Sequence, residues 1–391
     1  MATTDDVERG ADQQAKSLLG SRLDWSDDVV VNLYSHYWPP VPAFSGLPDQ
    51  LAEYLNTPRP ERATMLARLR GAEAHERFLH ESLAEIYAYL YKYRDGAATQ
   101  ESHDDIEIDL LTAKIELERE LLNHWLGHLD LPDFPDQSSA ADYLDEFAES
   151  NPGVGHPLFA YLADEAPRWQ LDMFLRGETI RNEVVDDEVA MLVVGMQGAQ
   201  KAVVAANLWD ECGRGKLENF HTFWLRRLIE ASDGGWAGFD RQRARNPWFA
   251  KITSNMNAML LSRPAWKQMA YGCFLVFESW VEPHFRHLLR AMDRYGVEDP
   301  DVRIYFAAHV AVDPRHSREL SDGLRFQRPT LSSREVAGIV RGAHMAAEAG
   351  RRQYDKWLTY FQQAADPHDL GSSGSDTGLA ERPSRGSLGA D

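Results

Sequence analysis

Apolar residues recur at three- and four-residue steps over most of the chain, the spacing that lines one face of an α-helix. The stretches "ERATMLARLRGAEAHERFLHESLAEIYAYLYKY" and "DIEIDLLTAKIELERELLNHWLGHL" both follow it, with charges at the intervening positions. "EVVDDEVAMLVVGMQGAQKAVVAANLWDE", "WKQMAYGCFLVFESWVEPHFRHLLRAMDRYG" and "SSREVAGIVRGAHMAAEAGRRQYDKWLTYFQQ" continue it. The last opens on an N-cap, Ser332 or Ser333, ahead of acidic Glu335. Breakers separate the periodic runs: "WPPVPAFSGLP", "LDLPDFPDQSS", "SNPGVGHP" and "ASDGGWAGFD". Alternating β-branched and polar residues are scarce. The pattern predicts an all-α protein, one large helical bundle with a helical N-terminal portion.

Both ends depart from this pattern. Residues 366–391 are rich in Gly, Ser and charge and nearly free of large apolar groups, so a disordered C-terminal tail is expected. Residues 1–20 resemble it and are expected to form a second tail, which leaves 21–365 as a single domain. With 391 residues, 43% hydrophobic and 26% charged, that domain can bury a substantial core. The formal charge of −20 argues against nucleic-acid or anionic-membrane partners, both of which need a basic face. Two cysteines, Cys212 and Cys273, make no disulfide framework and fit a reducing compartment. The first twenty residues lack the apolar core of a signal peptide, and no stretch approaches the roughly 18 apolar residues of a membrane span. A cytoplasmic protein is expected.

The most informative polar pattern is "AAHVAVDPRHSRE", which sets His309, Asp313 and His316 in an apolar stretch. Steps of four and seven residues rotate by roughly 400° and 700°, which puts all three side chains within about 60° of one helix face. An ordinary helix can carry such histidines in internal hydrogen bonds. Burying all three without a partner would be costly, however, and a divalent metal satisfies them together. Carboxylate and imidazole ligands favour iron or manganese over structural zinc. Pro314 weakens the stripe argument for His316, because proline removes a backbone hydrogen bond and biases Asp313 away from helical angles. Other helices must supply the remaining ligands. A ferritin-like pair of Glu-x-x-His motifs is not among them, since Glu218–His221 stands alone.

Two further stretches complete a set. "NLWDECGRGKLENFH" places Glu211 ten positions before His221, and "GCFLVFESW" presents Glu278 in an apolar run 31 residues before His309. Glu–His, then Glu, then His-x-x-x-Asp-x-x-His resembles the haem-oxygenase-like diiron oxidases, the iron-containing redox enzymes, over about residues 165–330. The resemblance implies a haem-oxygenase-like helical bundle, here with additional N-terminal helices. It implies that Glu211 and His221 come from a first core helix, Glu278 from a second, and His309, Asp313 and His316 from a third. These six would bind two Fe(II) ions, with O2 as co-substrate and a reductase or chemical reductant as external electron donor. Ten positions of ideal helix leave His221 about 80° off the Glu211 face. Gly213 and Gly215 permit a local unwinding that would bring them together. The implied reaction on a small-molecule substrate is N-oxygenation of an amine-type nitrogen. The alternative is oxidative desaturation or C–C cleavage of an amino acid or fatty acid. Room is left for a homodimer. Rivals are a non-enzymatic helical binding protein with structural histidines, and a haem binder using one His.

Secondary candidates remain open. An extra carboxylate ligand has five candidates in "RGETIRNEVVDDEVA": Glu178, Glu183, Asp186, Asp187 and Glu188, with a solvated face as the default. Arg315 and Arg318 flank His316 as substrate-carboxylate anchors or plain surface groups. Trp209, Phe220, Phe277 and Trp280 are candidates to line a cavity, against ordinary core packing. Glu278 has an alternative place on a polar edge with Glu282. His284 and His287 read as ordinary surface or core histidines, and Cys212 as a free buried thiol. Glu76/His80 and Glu120/His124 read as contacts along single helix faces.

Overall fold

The computed structural model describes residues 48–91, 104–126, 129–232 and 234–364; the side chains of residues 311–314 fall outside it. Both expected tails, 1–20 and 366–391, lie outside the described residues. Four helices come first, α1 (Asp49–Asn56), α2 (Arg59–Leu69), α3 (Glu73–Tyr91) and α4 (Asp104–Leu126). They are followed by α5 (Gln137–Ser150), α6 (Pro157–Asp164), α7 (Arg168–Asn182), α8 (Val185–Val193) and α9 (Gly198–Glu211). The rest of the bundle is α10 (His221–Ala231), α11 (Gly235–Ala244), α12 (Ile252–Leu261), α13 (Lys267–Arg294), α14 (Pro300–Arg325) and α15 (Ser333–Gln363). Short 3-10 turns join some of them. Among the described residues there is no strand, only an isolated antiparallel bridge between Cys212 and Phe220. The protein is an all-α helical bundle. No helix among the described residues is long and apolar enough to cross a membrane.

At the centre, α13 lies between α14 and α15, with α6 and α12 against it. Its run from Met269 to Val276 is buried throughout, so this stretch is apolar all round, as the centre of a bundle requires. Two glycines let α13 and α15 meet backbone to backbone. A Cβ on Gly272 would sit 1.9 Å from the Ile339 carbonyl oxygen, and one on Gly342 would sit 1.8 Å from that of Met269. Trp280, farther along α13, is cradled by Gly153 and Gly350 and donates its indole N–H to Asn151 Oδ1 at 2.7 Å.

Local signals explain where helices stop. The periodic run 61–93 divides into α2 and α3 at Gly71, and the run 183–211 divides into α8 and α9 at Gly195; both glycines have positive φ. Ser332 is the N-cap of α15 and forms a capping box with Glu335. The segment "ASDGGWAGFD" is less of a break than its glycines predict, for α11 begins within it at Gly235.

The α3–α4 pair carries an extended ionic network. Glu118, fully buried, accepts from Lys114 at 2.8 Å, Tyr87 at 2.8 Å and Arg263 at 3.0 Å. Arg70 grips Glu120 through two bonds of 2.6 and 2.7 Å. Glu76 meets His124 at 3.2 Å and Arg352 at 3.4 Å, while Glu120 meets His75. The expected contacts along single helix faces are therefore corrected. Glu76 and Glu120 reach across between helices, and His80 packs on Trp248 and Trp125 instead.

Candidate metal centre

Glu211 is the last residue of α9 and His221 the first of α10. The expectation that one helix carries both is thus corrected. Gly213, Arg214 and Gly215 all take positive φ, which no α-helix accommodates, so the chain turns out of α9 here. The Cys212–Phe220 bridge then closes the loop and returns His221 to the end of α9. His221 Nδ1 lies 2.7 Å from Glu211 Oε2.

His309 comes from α14, which carries through Pro314 to Arg325 as one helix. Donor atoms of Glu211, His221 and His309, all three buried, lie within 4.8 Å of one another. The His221 and His309 rings are 4.3 Å apart. His309 Nδ1 is engaged by the Tyr305 carbonyl at 2.6 Å, which fixes the tautomer and leaves Nε2 as the free lone pair. Glu278 of α13 is 8% exposed, and its Oε2 lies 3.4 Å from His316 Nδ1. It is not on a polar edge with Glu282, which pairs instead with Arg286. The Asp313 side chain lies outside the described part of the structure.

Asp210 is the residue the sequence reading missed. Its Oδ2 takes His316 Nε2 at 3.2 Å, so the other ring nitrogen is turned toward Glu278. Arg214 at 2.6 Å and Arg315 at 3.1 Å hold the same carboxylate. Arg315 is thereby accounted for as a partner of Asp210 and Glu319, and Arg318 is exposed.

The electrostatics are those of a site short of positive charge. Burial alone would raise the Glu211 carboxyl, yet the imidazoles of His221, His309 and His316 outweigh it and the net shift is downward. His221 shifts up, because Glu211 overcomes the burial that opposes its charge. Burial pushes His309 down to about 3, with His221 adding to the effect, so this ring is neutral. Glu211 Oε2 and His221 Nδ1 are buried and close, yet neither makes a hydrogen bond of normal geometry. Lone pairs that crowd one point without bonding each other fit a cation between them. The donor set of carboxylates and imidazoles suits iron.

Beside this cluster a cavity of about 110 Å³ opens between α7, α8, α12, α13, α14 and α15. Glu211, Glu278 and His309 line one part of it, and Phe277, Trp280 and Tyr354 another. Trp209 and Phe220 are not in its wall; Trp209, 42% exposed, packs over Gly215. His284 is a core residue bonded to the Gly153 carbonyl and stacked on Phe159, and burial pushes it down to about 3. His287 bonds the Pro283 carbonyl of its own helix. Cys212 is half-buried and unoxidised.

The structure separates the five auxiliary carboxylates. Glu183 is held by Arg243 through two 2.5 Å bonds, and Glu188 by Arg181 at 2.8 Å. Asp187 is exposed. Asp186 is pushed up to about 6 by burial, then by the charges of Asp187 and Glu211, which marks it as a neighbour of the cluster. Glu178 lines the cavity.

Residues 172–351 match the family described as iron-containing redox enzyme. No curated protein matches the chain.

Proposed function

Residues 172–351 belong to the iron-containing redox enzymes, and from that premise we propose that the chain is an O2-dependent non-haem diiron oxygenase acting on a small amine-type molecule. The observation that carries this reading is the buried convergence of Glu211, His221 and His309 within 4.8 Å, with the Glu278–His316 pair beside it. Glu211, His221, Glu278, His309, Asp313 and His316 would hold the two irons. Ferrous ions in such a donor set supply the activation of dioxygen, which no side chain in the cavity can provide.

The chain's own groups do the rest. Tyr305 fixes the His309 ring through its carbonyl, and Asp210 fixes His316, so two imidazoles are held before any ion arrives. Phe285 and Tyr305 pack against His309 and exclude water from that side. Electrons for turnover would come from an external donor. Leu192, Leu261, Phe274 and Phe285 make part of the cavity wall apolar, which supports a second reading, oxidation at a substrate carbon.

Anaerobic Fe(II) loading of the full-length protein tests the proposal. About two irons per chain are expected, as in other carboxylate-bridged bundle sites, with iron-dependent O2 uptake on mixing with air. Iron content near zero in the wild-type protein would overturn it.

A further inference from the structure

Glu178 differs from every other carboxylate around the cavity. Of the others that line it, Glu188 is bound by an arginine, Glu278 lies 3.4 Å from His316, and Glu211 is surrounded by imidazoles. Glu178 lines the cavity from α7, and its half-buried side chain is in the field of Arg181. Arg181 is itself committed elsewhere, to Glu188 at 2.8 Å and to the face of Phe277 at 5.5 Å. Arg181 and Glu188 cancel. The remaining charge at this end of the cavity is that of Glu178.

Aromatic rings line the same cavity. The Tyr354 ring lies 5.8 Å from Trp280, and Trp280 lies 5.2 Å from Phe277. All three line the cavity. A carboxylate with no cation of its own among ring faces is the environment an ammonium group seeks, since both the charge and the π-faces attract it. An anionic ligand group would instead meet Glu178 and Glu188 with one arginine already engaged.

From this arrangement we infer that Glu178 is the specificity-determining anchor for a protonated amine on the substrate, with Tyr354 and Trp280 lining the same part of the wall. The inference rests on reading the cavity as the substrate site. Glu178 enters the cavity wall from α7 and Glu211 from the end of α9, so the two carboxylates reach the cavity from different helices. The anchored nitrogen is then a handle, and the substrate's remote end is what the cluster meets. Burial lifts the Glu178 carboxyl to about 7, so it is only partly ionised in the empty cavity at neutral pH, and a bound ammonium draws the remaining proton off.

Isothermal titration of the full-length protein, as purified and under anaerobic conditions, with n-hexylammonium, n-hexanol and hexanoate tests this. Hexylammonium should bind at least about tenfold more tightly than the other two, the size of a charge-assisted contact. Glu178→Gln should remove that preference while leaving hexanol binding and iron content unchanged. Hexanoate binding as tightly as hexylammonium, no binding by any probe, or an unaltered preference in Glu178→Gln would each overturn the inference. If the variant does not fold, the order of the three probes on the wild-type protein decides. Iron content is measured on the same samples. Amine selectivity without iron would therefore refute the iron assignment and leave the anchor standing, and iron without selectivity would do the reverse.

Discussion

Two buried clusters in this protein use the same residue types and end in opposite conditions. In the α3–α4 region, Glu118 and Glu120 are closed off by Lys114, Arg263 and Arg70, and Glu76 meets both His124 and Arg352. In the other cluster, the charged partners acting on Glu211 are imidazoles. A guanidinium supplies a permanent charge and a fork of donors, so a carboxylate beside one has no further need of a cation. An imidazole supplies lone pairs as readily as protons. What separates the two Glu/His clusters here is the arginine.

The sharpest way to break this contrast is a matched pair of variants. Glu211→Ala should lose bound iron and iron-dependent O2 uptake, whereas Glu120→Ala should keep both. Metal analysis of the two proteins after the same loading would decide it. Stability should invert the ranking. Lys114→Met removes one partner of buried Glu118 and is expected to cost about 3 kcal/mol in urea unfolding. In metal-free protein Glu211→Gln should cost only about 1 kcal/mol, because the imidazoles that favour its charge are largely offset by the burial that opposes it. A third variant probes the arm that holds His316. Asp210→Asn should weaken iron affinity about 10- to 100-fold, the usual effect of losing a group that orients a ligand, with the fold intact by circular dichroism.

The smallest expected effect concerns acid. The Arg70 hydrogen bonds, against the burial that opposes them, hold the Glu120 carboxyl below its usual range. The folded value lies below the unfolded one, so this stabilisation is complete above about pH 4.5 and fades as pH falls through the folded value. Glu120→Gln should flatten the acid limb of the stability curve by that small amount, and thermal melts between pH 3 and 6 would register it.

Much of the bundle was legible from periodicity alone, because a helix that must bury one face writes that face at three- and four-residue steps. The spacing from His309 to His316 and the apolar surroundings of Glu278 were legible for the same reason. Glu211 and His221 were harder. Their ten-residue separation makes sense only once the turn at Gly213–Gly215 is known, and glycines announce that a helix can end without saying where the chain goes next. Asp210 was hidden by its neighbour, since residue i+1 on a helix points about 100° away and reads as solvated. The pairing of Glu76 with His124 was out of reach, because local spacing favours a partner four residues on and only tertiary packing offers a better one.

Gly272 and Gly342 bear on Glu278 in a way their distance conceals. Side chains at a helix crossing can repack and let one cylinder slide past the other, but two main chains in direct contact cannot. Six residues along from that seam, Glu278 inherits its height and rotation from a joint with no slack, so the seam acts as a jig for the carboxylate.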